Sequence, residues 1–227
     1  MMKWLNSSLF PPPSQVFAVF IENHVEFARA LSETGTSVLL GFALSIFIGF
    51  FISLLMTLIP AVKHAALPFA IFFQTVPIIA VAPLLVIYFG FGQPTVVAAT
   101  TLVSIFPIIA NCVVALSATS LETLELFQLY GASRWQIFWR LRMPSAYLGI
   151  YSGLQVAAGL AVIGAVAGEF VAGGGLGAMI DSARTQQRID IVFAALISLS
   201  GLGLVVISLI QVLNWIILKF RPFTEIS

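Results

Sequence analysis

The sequence predicts an all-α integral membrane protein of about five transmembrane helices. Three observations lead there. Of 227 residues, 60% are hydrophobic and only 8% charged, whereas soluble domains carry about 25% charged residues. Charged residues leave four long gaps: 29 residues between Glu33 and Lys63, 58 between Lys63 and Glu122, 26 between Arg142 and Glu169, and 28 between Asp190 and Lys219. A helix crosses the hydrocarbon core with about 20 apolar residues. Finally, the alternating ten-residue segments of a membrane β-barrel are missing, so each apolar run must satisfy its backbone hydrogen bonds as a helix.

The elements follow in order. Met1 to Pro13 has no continuous apolar stretch of the kind a signal peptide needs. Residues 14–33 place Phe17, Phe20, Ile21, Val25, Ala28 and Leu31 opposite Glu22, Glu26, Arg29 and Glu33, the pattern of an amphipathic helix lying on the membrane surface. Three gaps hold one span each. The 58-residue gap holds two, divided at FGFGQPT, where Gly90, Gly92 and Pro94 combine a turn signal with a helix-starting proline. The expected spans are roughly 36–59, 67–89, 95–117, 148–169 and 192–218. The chain thus divides into a surface segment (1–34), a membrane domain (35–221) with a polar loop at 118–147, and a short tail (222–227).

Five spans put the termini on opposite sides. One set of loops carries Lys63, Arg134, Arg140, Arg142, Lys219 and Arg221; the other carries Lys3, Arg29, Arg184 and Arg188. Lysine and arginine concentrate on the cytoplasmic side. The first set is therefore expected inside, with the N-terminus external and the C-terminus cytoplasmic.

The polar loop reads as two short helices around a glycine. Thr119 with Glu122 fits a capping box, and the helix behind it would stop at Gly131, in a left-handed C-terminal cap. Ser133 with Gln136 is a second capping box, and Pro144 opens the next span. Trp135, Phe138 and Trp139 fall on one face at the i, i+3, i+4 spacing. One reading is an interfacial helix whose tryptophans sit in the headgroup belt. The other is a stiff projection whose large side chains fill a partner's pocket.

This loop resembles the cytoplasmic signature of permease subunits of bacterial ABC importers. That signature is Glu-Ala-Ala, three residues, Gly, nine residues, then an aliphatic residue, any residue, and Leu-Pro. Glu125, Gly131, Leu141 and Pro144 stand at its positions; Leu126-Phe127 replaces Ala-Ala and Met143 the penultimate Leu. The run Gly131-Ala132-Ser133-Arg134-Trp135-Gln136-Ile137-Phe138 is especially similar to the branch handling nitrate, sulfonates, taurine and riboflavin or thiamine precursors. The resemblance extends through VPIIAVAPLLVIYFGFG and GLAVIGAVAGEFVAGGGLG, covering residues 35–221. It implies the type I importer permease architecture in a bacterial inner membrane. It also implies coupling helices that dock on a separate ATPase, with Glu125, Gly131, Ala132, Ser133, Arg134, Trp135, Phe138, Trp139 and Pro144 carrying the contact. The implied partners are two ATP-binding cassette subunits, a second permease copy or paralogue, an extracytoplasmic solute-binding protein and the bilayer. Family members often have an extra helix ahead of the region corresponding to Pro11–Leu31.

The chemistry lacking from the sequence fits a transport subunit. No GxxxxGK[ST] phosphate loop occurs, since Lys3, Lys63 and Lys219 are the only lysines and none precedes Ser or Thr. ATP and magnesium are therefore expected on a partner chain, with no cofactor or metal here. HExxH and GxSxG are missing too, Cys112 sits alone in an apolar run, and His24 and His64 stand apart. A net charge of +1 gives no reason to expect nucleic acid. The rival reading, an ion-coupled carrier or channel subunit, calls for ionisable residues at mid-membrane and paired halves. Here the only charge within a span is Glu169, at an outer end.

Three polar residues are candidates for the pathway. Gln74 and Asn111 are amides inside spans and must face protein or water, either lining a pore or bonding between helices. Glu169 is either a carboxylate in the outer headgroup layer or a gate residue. It ends a ladder of small residues, Gly149, Gly153, Ala157, Ala161 and Ala165, which lets helices approach closely in lipid. The glycine run 173–177 beyond it reads as a flexible external turn.

Overall fold

The structure, a computed structural model, describes residues 10–220. The 222–227 tail and two charges of the topology count, Lys3 and Arg221, lie outside the described residues. All regular elements among the described residues are helices.

Helix α1, Pro13–Glu22, starts on proline, whose missing amide costs nothing in a first turn. It packs Val16 and Val19 into the core beside α10. It stops at Asn23, whose side-chain amide donates to the Val19 carbonyl at 3.2 Å. The surface helix expected at 14–33 is therefore divided. Its second half is the start of α2, His24–Leu58, which runs through residue 34 unbroken. No proline interrupts those 35 residues, and Phe27, Ala30 and Thr34 are buried rather than laid on a surface.

The second expected span, 67–89, is a broken helix and not a continuous one. The chain forms α3, Pro60–Thr75, and α4, Ile78–Phe89, with a break at Val76 and Pro77. Proline lacks the donor that would continue the helix and pushes the preceding residue out of the helical region. At 12 residues, α4 is shorter than a span needs to be. Four described helices are long and apolar enough to cross a membrane: α2, α5 (Gln93–Ser117), the run Arg134–Ala172 that contains α8 (Met143–Ala172), and α10 (Ile189–Phe220). The turn before α5 falls where expected, with Gly90 and Gly92 at φ 80° and 88°. The Gly92 amide bonds the Ala172 carbonyl at 3.0 Å, tying that turn to the end of α8.

Helix α5 is the centre of the bundle, packed between α2 and α8. Glycines on both neighbours make room for it. A Cβ built on Gly41 of α2 would stand 2.5 Å from Thr100 Cβ, and one on Gly164 of α8 would stand 2.9 Å from Thr100 Cα. Thr100 is held between two backbones. The ladder on α8 faces the same way: a Cβ on Gly149 would meet Ala115 at 2.5 Å and one on Gly153 would meet Asn111 at 2.7 Å, while Ala157, Ala161 and Ala165 are fully buried. The buried hydroxyls of Ser45, Thr100 and Ser104 are not orphaned, because each donates to a carbonyl one turn back at 2.7–2.8 Å. The outer faces of α2 and α10 keep Phe47, Phe51, Leu204 and Trp215 exposed, as lipid-facing helices do.

Gly164→Ala should destabilise the bundle by about 1 to 3 kcal/mol, since its methyl group meets backbone rather than a movable side chain. Gly159→Ala, on the same helix with open space at its Cβ, should be neutral or slightly stabilising. Retention of monodisperse protein after graded heating in detergent reads both; equal losses would contradict the packing described.

Candidate functional site

The polar loop lies where α2, α5 and α8 end together. After α5, Ser120 caps α6, Leu121–Leu129, by accepting from the Thr123 amide at 3.4 Å. The cap is thus one residue later than the expected Thr119. Helix α6 ends through Tyr130 into Gly131, whose φ of 73° is the left-handed turn the sequence called for. The Gly131 and Ala132 amides close it on the carbonyls of Gln128 and Phe127. Ser133 and Gln136 form the expected capping box in both directions, at 3.3 and 2.8 Å, and start α7, Arg134–Ile137. From Phe138 to Arg142 the backbone widens into one π-helical turn before α8, which Pro144 enters in its first turn.

The three aromatic residues do share a cluster, with ring centroids 5.3–6.1 Å apart. They do not share a role. Phe138 is 2% exposed and packs on Ala115 and Leu116 of α5 and Ala146 of α8, with Leu54 of α2 against the same group. Trp135 and Trp139 are 63% and 50% exposed. Phe138 therefore fastens the loop to three membrane helices, and the tryptophans stand outside. Leu126 and Leu129 of α6 and Tyr130 at its C-cap are exposed as well. Glu125 and Arg134 are exposed, as are Gly131, Ser133 and Pro144. The bulky Leu126-Phe127 pair splits, with Leu126 outward and Phe127 half-buried.

The pathway candidates are scattered. Gln74 is exposed on α3. Asn111 donates to the Pro107 carbonyl at 2.8 Å and is wedged against Gly153 at the α5–α8 contact. Glu169 is 2% exposed and accepts the Gly177 amide at 2.7 Å. It lies inside the protein, neither in a headgroup layer nor apart from its neighbours. The glycine run is likewise no loose turn: Gly175 and Gly177 sit in the first turn of a further helix, α9, Gly175–Thr185. Sequence reading missed Glu33 and Thr34, which reach that same turn across 142 residues of chain. No local signal links them to it. Among the described residues no group of His, Cys, Asp and Glu could hold a metal ion.

The chain that builds this loop also matches a known family by sequence. The sequence profile of "Binding-protein-dependent transport system inner membrane component" fits residues 41–215. The chain belongs to this family. It is 38% identical, over 94% of this chain and 86% of the other, to the "Formylaminopyrimidine transport permease protein ThiX" of Halalkalibacterium halodurans. The "Riboflavin transport system permease protein RibX" of Chloroflexus aurantiacus is 36% identical over 65% of this chain and 56% of that protein. The "Taurine transport system permease protein TauC" of Escherichia coli is 29% identical over 85% and 73%. A solved chain of the "MetNI methionine ABC transporter" in an inward-facing conformation superposes with a TM-score of 0.70 at 18% identity, covering 88% of this chain and 96% of that one. The protein is thus a multi-pass permease of the inner membrane and the translocation subunit of an ABC importer, whose engine requires an ATPase and whose cargo requires a binding protein.

Phe138→Ala in this permease should cost about 3 to 5 kcal/mol of stability, the usual loss for a buried phenylalanine. Trp135→Ala should leave stability within about 0.5 kcal/mol, as exposed positions do. Thermal unfolding of the detergent-solubilised chain measures both. Matching losses would mean that Trp135 is an anchor as well.

Proposed function

We propose that the 118–147 loop is where a separate ATP-hydrolysing subunit grips this permease, and that ATP and magnesium act on that subunit. The observation that carries the reading is the division of labour around Phe138. A coupling element must be fixed to the helices it moves and present large side chains to the partner that moves it. Phe138 provides the fixing to α2, α5 and α8. Leu126, Leu129, Tyr130, Trp135 and Trp139 provide an exposed surface rich in the aromatic residues that anchor interfaces. Glu125, Ala132, Ser133, Arg134 and Pro144 complete the loop. The headgroup-belt reading explains the tryptophans but not the left-handed Gly131 and the complete capping box, which spend local order on holding their direction.

Two such permease chains, identical or paralogous, would enclose the pathway, and two ATPase subunits would drive it. The loop faces the cytoplasm in this reading, with the N-terminus outside, as the lysine and arginine balance favours. The solute is a small water-soluble organic molecule of the kind the formylaminopyrimidine and riboflavin permeases are named for, delivered by an external binding protein. Gln74 and Asn111 are the polar candidates for its route.

Gly131 supplies the test. Nothing lies within 4 Å of a Cβ there, so substitution costs only the left-handed backbone, about 1 to 2 kcal/mol for an ordinary residue. Gly131→Val should abolish solute-stimulated ATP hydrolysis in reconstituted vesicles while membrane insertion survives. Asparagine, which tolerates this conformation, should restore most of the stimulation. Normal coupling in the valine variant would sink the proposal. In a companion measurement, an impermeant thiol reagent added to intact cells should label a cysteine at 182 and spare one at 136, after replacement of Cys112. The opposite pattern would invert the topology.

A further inference from the structure

At the end of the bundle away from the coupling loop, side chains from two membrane helices close on the start of α9. Gly174, the N-cap residue, has no side chain with which to cap, yet a helix start leaves its first amides without intrahelical partners. Here three consecutive amides are taken by distant residues. The Gly175 amide donates to Glu33 at 2.9 Å, the Leu176 amide to the Thr34 hydroxyl at 2.9 Å, and the Gly177 amide to Glu169 at 2.7 Å. Glu33 and Thr34 belong to α2 and Glu169 to α8. One acceptor is itself held in place: Arg29 donates to the other Glu33 oxygen at 3.0 Å.

The fit leaves no slack. A Cβ on Gly175 would lie 2.1 Å from Glu169 Oε1 and 2.5 Å from Thr34 Oγ1, and one on Gly177 would lie 2.7 Å from Glu169 Cβ. Gly175 also has φ 63°. The glycines are there so that the helix start can sink onto its acceptors. Thr34 and Leu176 are fully buried and Glu169 nearly so. Moving α9 away would strand a buried carboxylate, a hydroxyl and three amides, a heavy penalty in a low-dielectric surrounding. A cavity of about 340 Å³ adjoins this cluster, lined by Glu33, Thr36, Ser37, Gln93 and Glu169 among others.

We propose that Glu33, Thr34 and Glu169 form a clasp that makes α9 one rigid body with α2 and α8, so that this helix holds its place throughout transport and does not open as a lid. The part concerning transport rests on the ATP-driven cycle proposed above; the clasp itself does not. In this assignment Glu169 and Thr34 are positioning residues, acting on the wall of the adjoining cavity through α9.

Pulsed electron paramagnetic resonance tests it. Spin labels at Glu26 of α2 and Thr185 of α9, both exposed, are placed in the Cys112→Ser background of the full complex in lipid. Without nucleotide, a single narrow distance distribution is expected. Glu169→Ala should broaden it severalfold, and Glu169→Gln, whose amide oxygen still accepts from Gly177, should recover much of the narrowness. Thr34→Val, nearly isosteric, removes only the Leu176 acceptor and should broaden it too, which keeps the test open should the alanine variant fail to assemble. An unchanged distribution in Thr34→Val and Glu169→Ala overturns the clasp. In the wild-type complex, trapping with ATP should leave the distance where it was; a shift to a second distance makes α9 a moving gate and overturns the rigid-body assignment. The nucleotide-free comparison needs no ATP hydrolysis, so its outcome is distinct from failure of the coupling reading.

Discussion

The close approach of α5 to the backbones of α2 and α8 is the constraint on which the rest of this permease depends. Inside a bilayer, apolar side chains gain little by leaving lipid for protein, so helices must be held by contact and by the absence of bulk. Gly41, Gly149, Gly153 and Gly164 supply that absence, and Thr100, Asn111 and Ala115 fill it. Because α5 is gripped on both sides, the two ends of the bundle are fixed relative to each other. At one end the termini of α2, α5 and α8 converge to receive Phe138; at the other, α2 and α8 come near enough for Thr34 and Glu169 to share α9.

Much of this was written in the sequence in forms that follow directly from physics. Charge gaps located the membrane helices because the cost of a charge in lipid is large and does not depend on neighbours. Gly131 and the Ser133–Gln136 pair announced their conformations because caps and left-handed turns are local. The misreadings share a different origin. Pro77 falls inside the expected 67–89 span as a residue that either bends or interrupts its helix, and only tertiary context decides that the helix stops there. Residues 24–33 were laid on a surface, since their periodicity shows that one face is apolar without showing what covers it. Phe138 was grouped with the tryptophans for the same reason: spacing places residues on one side of a helix, and burial depends on what stands opposite. Glu33 and Thr34 could not be connected in the sequence with the Gly175 and Leu176 amides they hold, which lie 142 residues away.

The division between Phe138 and the exposed tryptophans also clarifies why the signature of the family tolerates change in this chain. Leu126 and Phe127 stand where the signature that this loop resembles has two alanines, and the structure turns one outward and half-buries the other. The pair therefore alters the outer surface and the seating of α6 at once. The left-handed glycine behind it is unaffected, and so is the capped helix that follows. Direction is set by backbone features, while the content of the surface is free to match a particular partner.

The π-helical turn at Phe138–Arg142 has a history in it. Such a turn is an α-helix carrying one surplus residue, and each residue rotates a helix by about 100°. Removing one residue between Phe138 and Arg142 would let the ladder close as an ordinary α-helix. It would also swing Trp135, Phe138 and the capped start of α7 by about 100° around the axis of α8, lifting Phe138 off its seat among Ala115, Leu116 and Ala146. The bearing of the tryptophans is thus tied to one extra residue of backbone. A single codon lost there would turn the exposed face and unfasten it from the bilayer helices in the same step.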